Sequence, residues 1–279
     1  MARRSSGRRS RRRGRSAQRG VTGTVLAVGV AILVLSGIGA AFWWSDQESR
    51  ARALDTETLC PEATGPVAMT AILLDLTDPM SPAQHAQLLA RIEQEISDAA
   101  RGTQFTLGVV SEDSTRWGAT PPLCKPQDAA SANRLTQNEK LIAKRYESRF
   151  HEPLQSRLLD MVSATGANRS PIMESLQALV ADTPGFVTFE GPRRIILVTD
   201  LLQHSDALSF YRGGTWDSFR ASPAFQRLGR TLDGAEIRIY QVPRPAEGVK
   251  DPAVLEDFWI RYFERQGAHV PVVNRLGDL

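Results

Sequence analysis

A doubly wound, mainly parallel α/β sheet preceded by a single membrane-spanning helix is the architecture this sequence predicts, on three observations. Two apolar runs, Val67–Leu74 and Arg194–Thr199, each end abruptly in an aspartate, Asp75 and Asp200. Strands buried on both faces of a parallel sheet read in this way, as continuous apolar runs without alternation. Strand-like and helix-like segments then alternate along the chain, which builds right-handed βαβ units. Finally, no charged residue occurs from Val21 to Trp44.

That uncharged stretch covers about 36 Å at helical rise, more than the roughly 30 Å hydrocarbon core of a bilayer. Trp43 and Trp44 end it in the manner of an interfacial aromatic belt. A cleaved signal peptide is the competing reading, but the run is longer than an h-region and closes on tryptophans instead of a small-residue cleavage site. We therefore expect a retained anchor over residues 21–44.

The chain has 279 residues and a formal charge of +3, but nine arginines and no acid lie in residues 1–20, so the rest carries 25 bases against 31 acids. The basic character belongs to one tail. An arginine cluster directly before an apolar segment fits a cytoplasmic membrane face and its anionic lipid. Nucleic acid is disfavoured, since no aromatic residue interleaves the arginines and no recognition fold fits in the tail. Positive-inside orientation puts the tail in the cytoplasm and the remainder beyond an inner membrane, in a periplasmic or other extracytoplasmic compartment.

Residues 45–65 are polar and end in Pro and Gly signals, a short stalk; residues 66–279 form the folded domain. The two cysteines, Cys60 and Cys124, suit an oxidising compartment, where a bridge between them stabilises by about 4 kcal/mol in the loop-entropy model. Two unpaired thiols are the alternative.

After the first strand, Ser81 and Pro82 read as an N-cap and first helical position for a helix through Ala100. Thr103–Val110 is a second strand, followed by a long loop over 115–132. Apolar positions at intervals of three and four from Leu141 to Met161 predict a helix over 138–162, with a kink or break at His151-Glu152-Pro153. A short helix begins behind Ser170, and further patterns predict a helix over 216–232, a strand over 235–242, a helix over 252–266 and an edge strand over 269–273.

In open α/β sheets, ligands sit beyond the carboxyl ends of the strands. Asp75 and Asp200 end two strands, so their shared rim is the candidate site. Asp75-x-Thr77 after the first strand, Ser170 before a helix containing Ser175-Leu176, and Ile195-Ile-Leu-Val-Thr-Asp200 together resemble the von Willebrand factor type A domain, found also as the integrin inserted domain. The resemblance covers roughly residues 67–242. It implies a doubly wound Rossmann-like sheet and a metal-ion-dependent adhesion site in which Asp75, Thr77, Ser170 and Asp200 hold Mg²⁺. In that motif the second hydroxyl position falls here on Pro79, which has no side-chain oxygen, and Leu201 stands where the family usually has Gly.

Hard divalent ions take about six oxygen ligands and retain waters, so hydroxyls can ligate while carboxylates balance charge. An open position then accepts a partner's carboxylate. The competing reading is a metal-free site in which Asp75 and Asp200 cap helices and loop amides. We therefore expect a membrane-anchored protein-interaction domain, adhesion-like in its metal rim, or alternatively a metal-free structural scaffold in a membrane or envelope assembly. Enzyme chemistry is not expected: no His or Lys base joins the constellation, His85, His151, His204 and His269 show no zinc spacing, and neither a Gly-rich phosphate loop nor a G-x-S-x-G elbow occurs.

Overall fold

A computed structural model of the chain describes residues 18–51, 53–133, 137–162, 167–229, 231–244 and 252–277, and side chains within them except at 18–27, 48–51, 162 and 252. The arginine tail over residues 1–17 lies outside the described residues. The chain divides into two compact units, Met1–Ala53 and Leu54–Leu279.

Among the described residues, the first unit contains one helix, α1 (Gln18–Ala51). Within it, Val28–Gln47 is long and apolar enough to cross a membrane, with mean hydropathy 1.8 and none of it buried. The helix does not stop at Trp44: Ser45–Ala51 contains neither Gly nor Pro, so nothing breaks the backbone pattern before Ala51. The expected stalk is thus shared out, its first residues extending α1 and its later ones, from Leu54, belonging to the second unit. There Asp55 Oδ1 accepts from the Thr58 amide and hydroxyl, each at 2.7 Å, and Leu59 is buried in the core.

In the second unit six strands form one sheet: β1 (Ala68–Leu74), β2 (Thr103–Val109), β3 (Leu123–Cys124), β4 (Arg193–Thr199), β5 (Glu236–Gln241) and β6 (Val272–Arg275), in the order β3-β2-β1-β4-β5-β6. All pairs are parallel except β2 with β3. The predicted fold class therefore holds: a mainly parallel sheet with helices on both faces. β3 was not anticipated, because two residues in a proline-flanked loop carry no periodic signal. It pairs with β2 beside the Cys60–Cys124 disulfide, whose Cα atoms are 4.8 Å apart.

β1 is central and buried on both sides. Its odd residues Met69, Ala71 and Leu73 enter one core with α5 (Ile172–Asp182) and α8 (Pro252–Arg265). Its even residues Ile72 and Leu74 enter the other with α2 (Pro82–Asp98) and Phe150. Each fully buried Leu or Ile of this kind contributes about 1.5–3 kcal/mol. Phe258, Trp259, Tyr262 and Phe263 of α8 meet Phe210 and Phe219 edge-on or tilted in one aromatic cluster.

The helix predicted over 138–162 runs through as α3 (Glu139–Tyr146), a π-helical turn (Glu147–His151) and α4 (Glu152–Val162). Pro153 lacks an N–H to continue the α ladder, and the widened turn just before it takes up the mismatch. The segment predicted as one helix over 216–232 is instead two short ones, α6 (Trp216–Arg220) and α7 (Ala224–Arg227). Pro223, with φ fixed near −59°, interrupts it. The last strand lies a few residues later than expected, at Val272–Arg275, in parallel register with β5.

Candidate functional site

The site is built by the register of two strands distant in sequence. Leu74 pairs with Val198, so the next residues, Asp75 and Thr199, lie side by side where β1 and β4 leave the sheet. The Asp75 amide donates to the Val198 carbonyl at 2.8 Å, holding the chain in place for one more step. Asp75 Oδ2 accepts from the Thr199 hydroxyl at 2.8 Å and from the Ser170 hydroxyl at 3.0 Å. Its other oxygen, Oδ1, accepts from the Thr77 hydroxyl at 2.8 Å and the Thr77 amide at 3.3 Å. Three hydroxyls from three segments thus converge on one buried carboxylate.

Ser170 is placed by an antiparallel bridge across the rim: its amide donates to the His204 carbonyl at 3.0 Å and the His204 amide donates back at 2.8 Å. Asp200 Oδ1 accepts from the Leu202 amide at 2.8 Å, and Asp75, Thr77, Asp78, Met80, Asp200, Val242 and Arg244 line one small pocket. All four residues expected at the site are therefore at one strand edge, with Asp75, Thr77 and Ser170 directly hydrogen-bonded and Asp200 sharing the pocket. Ser81 takes no part; it caps α2 in a capping box with Gln84.

Two residues escaped sequence reasoning. Thr199 was visible as a hydroxyl before Asp200, but only inter-strand register aims it at Asp75. Arg244 enters from beyond β5, with no spacing to mark it. Its guanidinium donates to the Pro79 carbonyl.

Burial dominates the electrostatics. It raises the Asp75 carboxyl above its ordinary value, against the hydrogen bonds from Thr77, Thr199 and Ser170 that favour the anion. Asp200 is pushed up to about 8, first by burial and then by the negative charge of Asp75, while the Leu202 amide and Arg244 act in the opposite direction. Two carboxyls desolvated in one pocket resist ionising together.

The loop after Asp200 carries backbone strain. Leu201, where the type A resemblance expects glycine, adopts φ +69° and is fully buried. A bulky residue in the left-handed region costs about 1–3 kcal/mol and persists only where surroundings over-determine it. Here the Leu201 amide donates to the Thr199 hydroxyl at 2.9 Å, and the Trp259 indole donates to the Leu201 carbonyl at 3.0 Å.

The donor set is all oxygen. Among the described residues no three or more His, Cys, Asp or Glu side chains gather as a metal cluster, so any cation here would rely on hydroxyls beside the acids. A hydroxyl that donates its one proton to Asp75 keeps its lone pairs for a cation, so the bonding of Thr77 and Ser170 is compatible with a hard divalent ion. Around the rim, His204 Nδ1 lies 2.7 Å from the Ser209 hydroxyl and its ring packs edge-on to Tyr211, which is 44% exposed.

No family model and no curated protein matches this chain. Among solved structures, it is similar to an aerotolerance-related membrane protein from Bacteroides fragilis NCTC 9343 carrying multiple mutations to serines. The two are 14% identical, the alignment covers 75% of this chain and 92% of that one, and the TM-score is 0.32.

Proposed function

We propose that this chain is a membrane-anchored interaction protein whose α/β domain binds a protein partner through the rim of Asp75, Thr77, Ser170 and Asp200, in the manner of a type A domain. One observation carries the reading. Hydroxyls 95 and 124 residues along the chain from Asp75 converge with that of Thr77 on a single buried carboxylate, at the edge of a parallel sheet where ligands bind. The preorganisation of so many buried polar groups at one end of the sheet favours recognition over packing.

In this reading the Thr77 and Ser170 hydroxyls would hold Mg²⁺ with Asp75 and Asp200 balancing its charge, and the ion would supply an electrophilic centre for a partner's carboxylate. The chain's own part is to fix the hydroxyls and keep the carboxyls desolvated. The apolar helix serves as a single-pass anchor in a cell inner membrane, its N-terminal arginines on the cytoplasmic, anionic-lipid side and the domain on the other. The disulfide supports that placement, since such bridges persist in oxidising compartments. No catalytic step is assigned to the rim.

A second reading, a metal-free scaffold subunit, draws support from the four hydrogen bonds that Thr77, Ser170 and Thr199 already give the Asp75 carboxylate. Affinity capture of the full-length protein from its native membrane separates the two. Partner recovery in Mg²⁺ that is lost in chelator and in Asp75→Ala supports the metal rim, whereas recovery indifferent to both supports the scaffold.

A further inference from the structure

The groove between α2 and α4 is crossed by a polar tie. Its floor is apolar, from Ile92, Ile96, Leu154 and Leu158, around a cavity of about 400 Å³, and Glu93 and His151 line it from α2 and from the turn that leads into α4. His151 is the last residue of the π-helical turn Glu147–His151. Its Nε2 lies 3.0 Å from Glu93 Oε2, and its Nδ1 lies 3.0 Å from Glu147 Oε1, four residues back. A neutral imidazole has one N–H and one lone pair, so it donates to one carboxylate and turns its lone pair on the other; only the imidazolium donates to both. The ring of Tyr146 stacks on the imidazole at 6.2 Å between centroids. Gln155 of α4, on the groove wall, is neutral, and Glu152, next in the chain, is exposed. Lys125 and Asp128 act on Glu93 and Tyr146, one step removed from the imidazole.

We propose that Glu93, His151 and Glu147 form a pH-operated latch: with both imidazole nitrogens protonated it pins α2 to the π-helical turn, and loss of one proton to solvent frees one arm and loosens the groove. It does not depend on the reading of the strand-edge rim. The proton has a way out, since the His151 side chain is 19% exposed. Once it leaves, a lone pair faces a carboxylate and the two acids have no cation between them, so the arrangement that held turns repulsive. The direction is fixed by the same contacts. Burial pulls the imidazole down, but the hydrogen bonds and charges of Glu93 and Glu147 outweigh it and leave it above its ordinary 6.5, so the latch is closed below that raised value and opens as pH rises through it. Opening stays local, because Phe150 beside the latch is fully buried against Tyr146 and Phe105 and the groove floor is closed by its own side chains. A π turn is the rare kind of helical step that recurs at functional sites, and here it carries both His151 and Glu147.

The test is amide hydrogen exchange, read by mass spectrometry on the full-length protein in detergent at about pH 5.5 and about pH 9, with rates corrected for the intrinsic effect of pH. Protection over residues 89–96 and 147–158 is expected to fall at least fivefold between the two, while β1 and β4 hold theirs. His151→Gln, which like a neutral imidazole can donate to only one of the acids, should show the weaker protection at both values. Glu147→Gln alters an exposed side chain and leaves one acid for one N–H, so it should abolish the pH response with the fold intact. Unchanged protection in the unaltered protein overturns the latch, as does a pH response that survives in H151Q or E147Q. A loss spread evenly over β1 and β4 would mark general destabilisation by alkali and overturns it too.

Discussion

The carboxyl of Asp200 makes the folded state sensitive to alkali in a way that can be measured without knowing any partner. Its value is about 8 in the fold against 3.8 as an ordinary aspartate, because of burial and the neighbouring charge of Asp75. Below about pH 3.8 both folded and unfolded chains hold this proton, and the group is neutral to stability. Between there and about pH 8 the folded chain keeps the proton and the unfolded chain loses it, so stability falls as pH rises, and above about pH 8 the loss is complete. At 1.36 kcal/mol per pH unit the whole interval sets an upper limit of about 6 kcal/mol. Asp75 and Asp200 titrate as a pair, and part of the effect is shared between them. A working figure of about 2 kcal/mol between pH 5 and pH 9 corresponds to a fall in Tm of about 4–8 °C for a domain of this size. The assay is a thermal-unfolding series on the full-length protein in detergent from pH 5 to pH 9, compared with Asp200→Asn. His151 contributes in the same direction, since Glu93 and Glu147 hold its imidazole above the ordinary value against burial, but it is common to both proteins and cancels. A flatter profile in D200N is expected. Parallel profiles in the two proteins would refute the claim that Asp200 is desolvated beside a second acid.

Further outcomes follow from the same contacts. Thr199→Val leaves Asp75 Oδ2 short of one donor and the Leu201 amide without its acceptor, and should lower stability by about 1–3 kcal/mol in a denaturant series. Glu95, 5% exposed, accepts from Arg194 at 3.0 Å, from Tyr240 at 2.6 Å and from Arg238. Glu95→Ala leaves the Tyr240 hydroxyl without its acceptor and Arg194 and Arg238 with Glu236 alone, and should cost about 1–3 kcal/mol, with Glu95→Gln milder. Cys60→Ser with Cys124→Ser, or a reductant on the unaltered protein, should remove about 2–4 kcal/mol, read as a drop in denaturation midpoint. Trp259→Ala, opening a cavity in the aromatic cluster of α8 and freeing the Leu201 carbonyl, should cost about 3–5 kcal/mol.

Legibility in the sequence followed the strength of the local signal. β1 and β4 were plain because uninterrupted apolar runs such as Ala71–Leu74 and Ile195–Val198, closed within a residue or two by an acid, have few other readings, and α2 was plain from Ser81, Pro82 and its apolar spacing. The Trp216–Leu232 stretch misled because Trp216 and Phe219, and then Phe225, Leu228 and Leu232, each keep helical spacing on their own side of Pro223, and periodicity counts do not weigh one missing N–H. β3 is too short to alternate. At the rim, Asp75, Thr77, Ser170 and Asp200 were recognisable as residue types at strand ends and helix starts. Thr199 and Arg244 were not, because one depends on a strand register set between residues more than a hundred positions apart, and the other on where a chain segment passes after β5. The left-handed Leu201 was flagged only as a departure from glycine; what sustains it, the Trp259 indole and the Thr199 hydroxyl, comes from tertiary packing.

The most direct measurement is photocrosslinking in native membranes from a benzoylphenylalanine placed at Asp78, an exposed neighbour of the pocket, with the same probe at Lys140 on α3 as the comparison. A discrete partner adduct from position 78, weak or missing from position 140 and abolished by Asp75→Ala, is what the rim predicts. Adducts that form equally from α3, or persist at position 78 when Asp75 is gone, would contradict it.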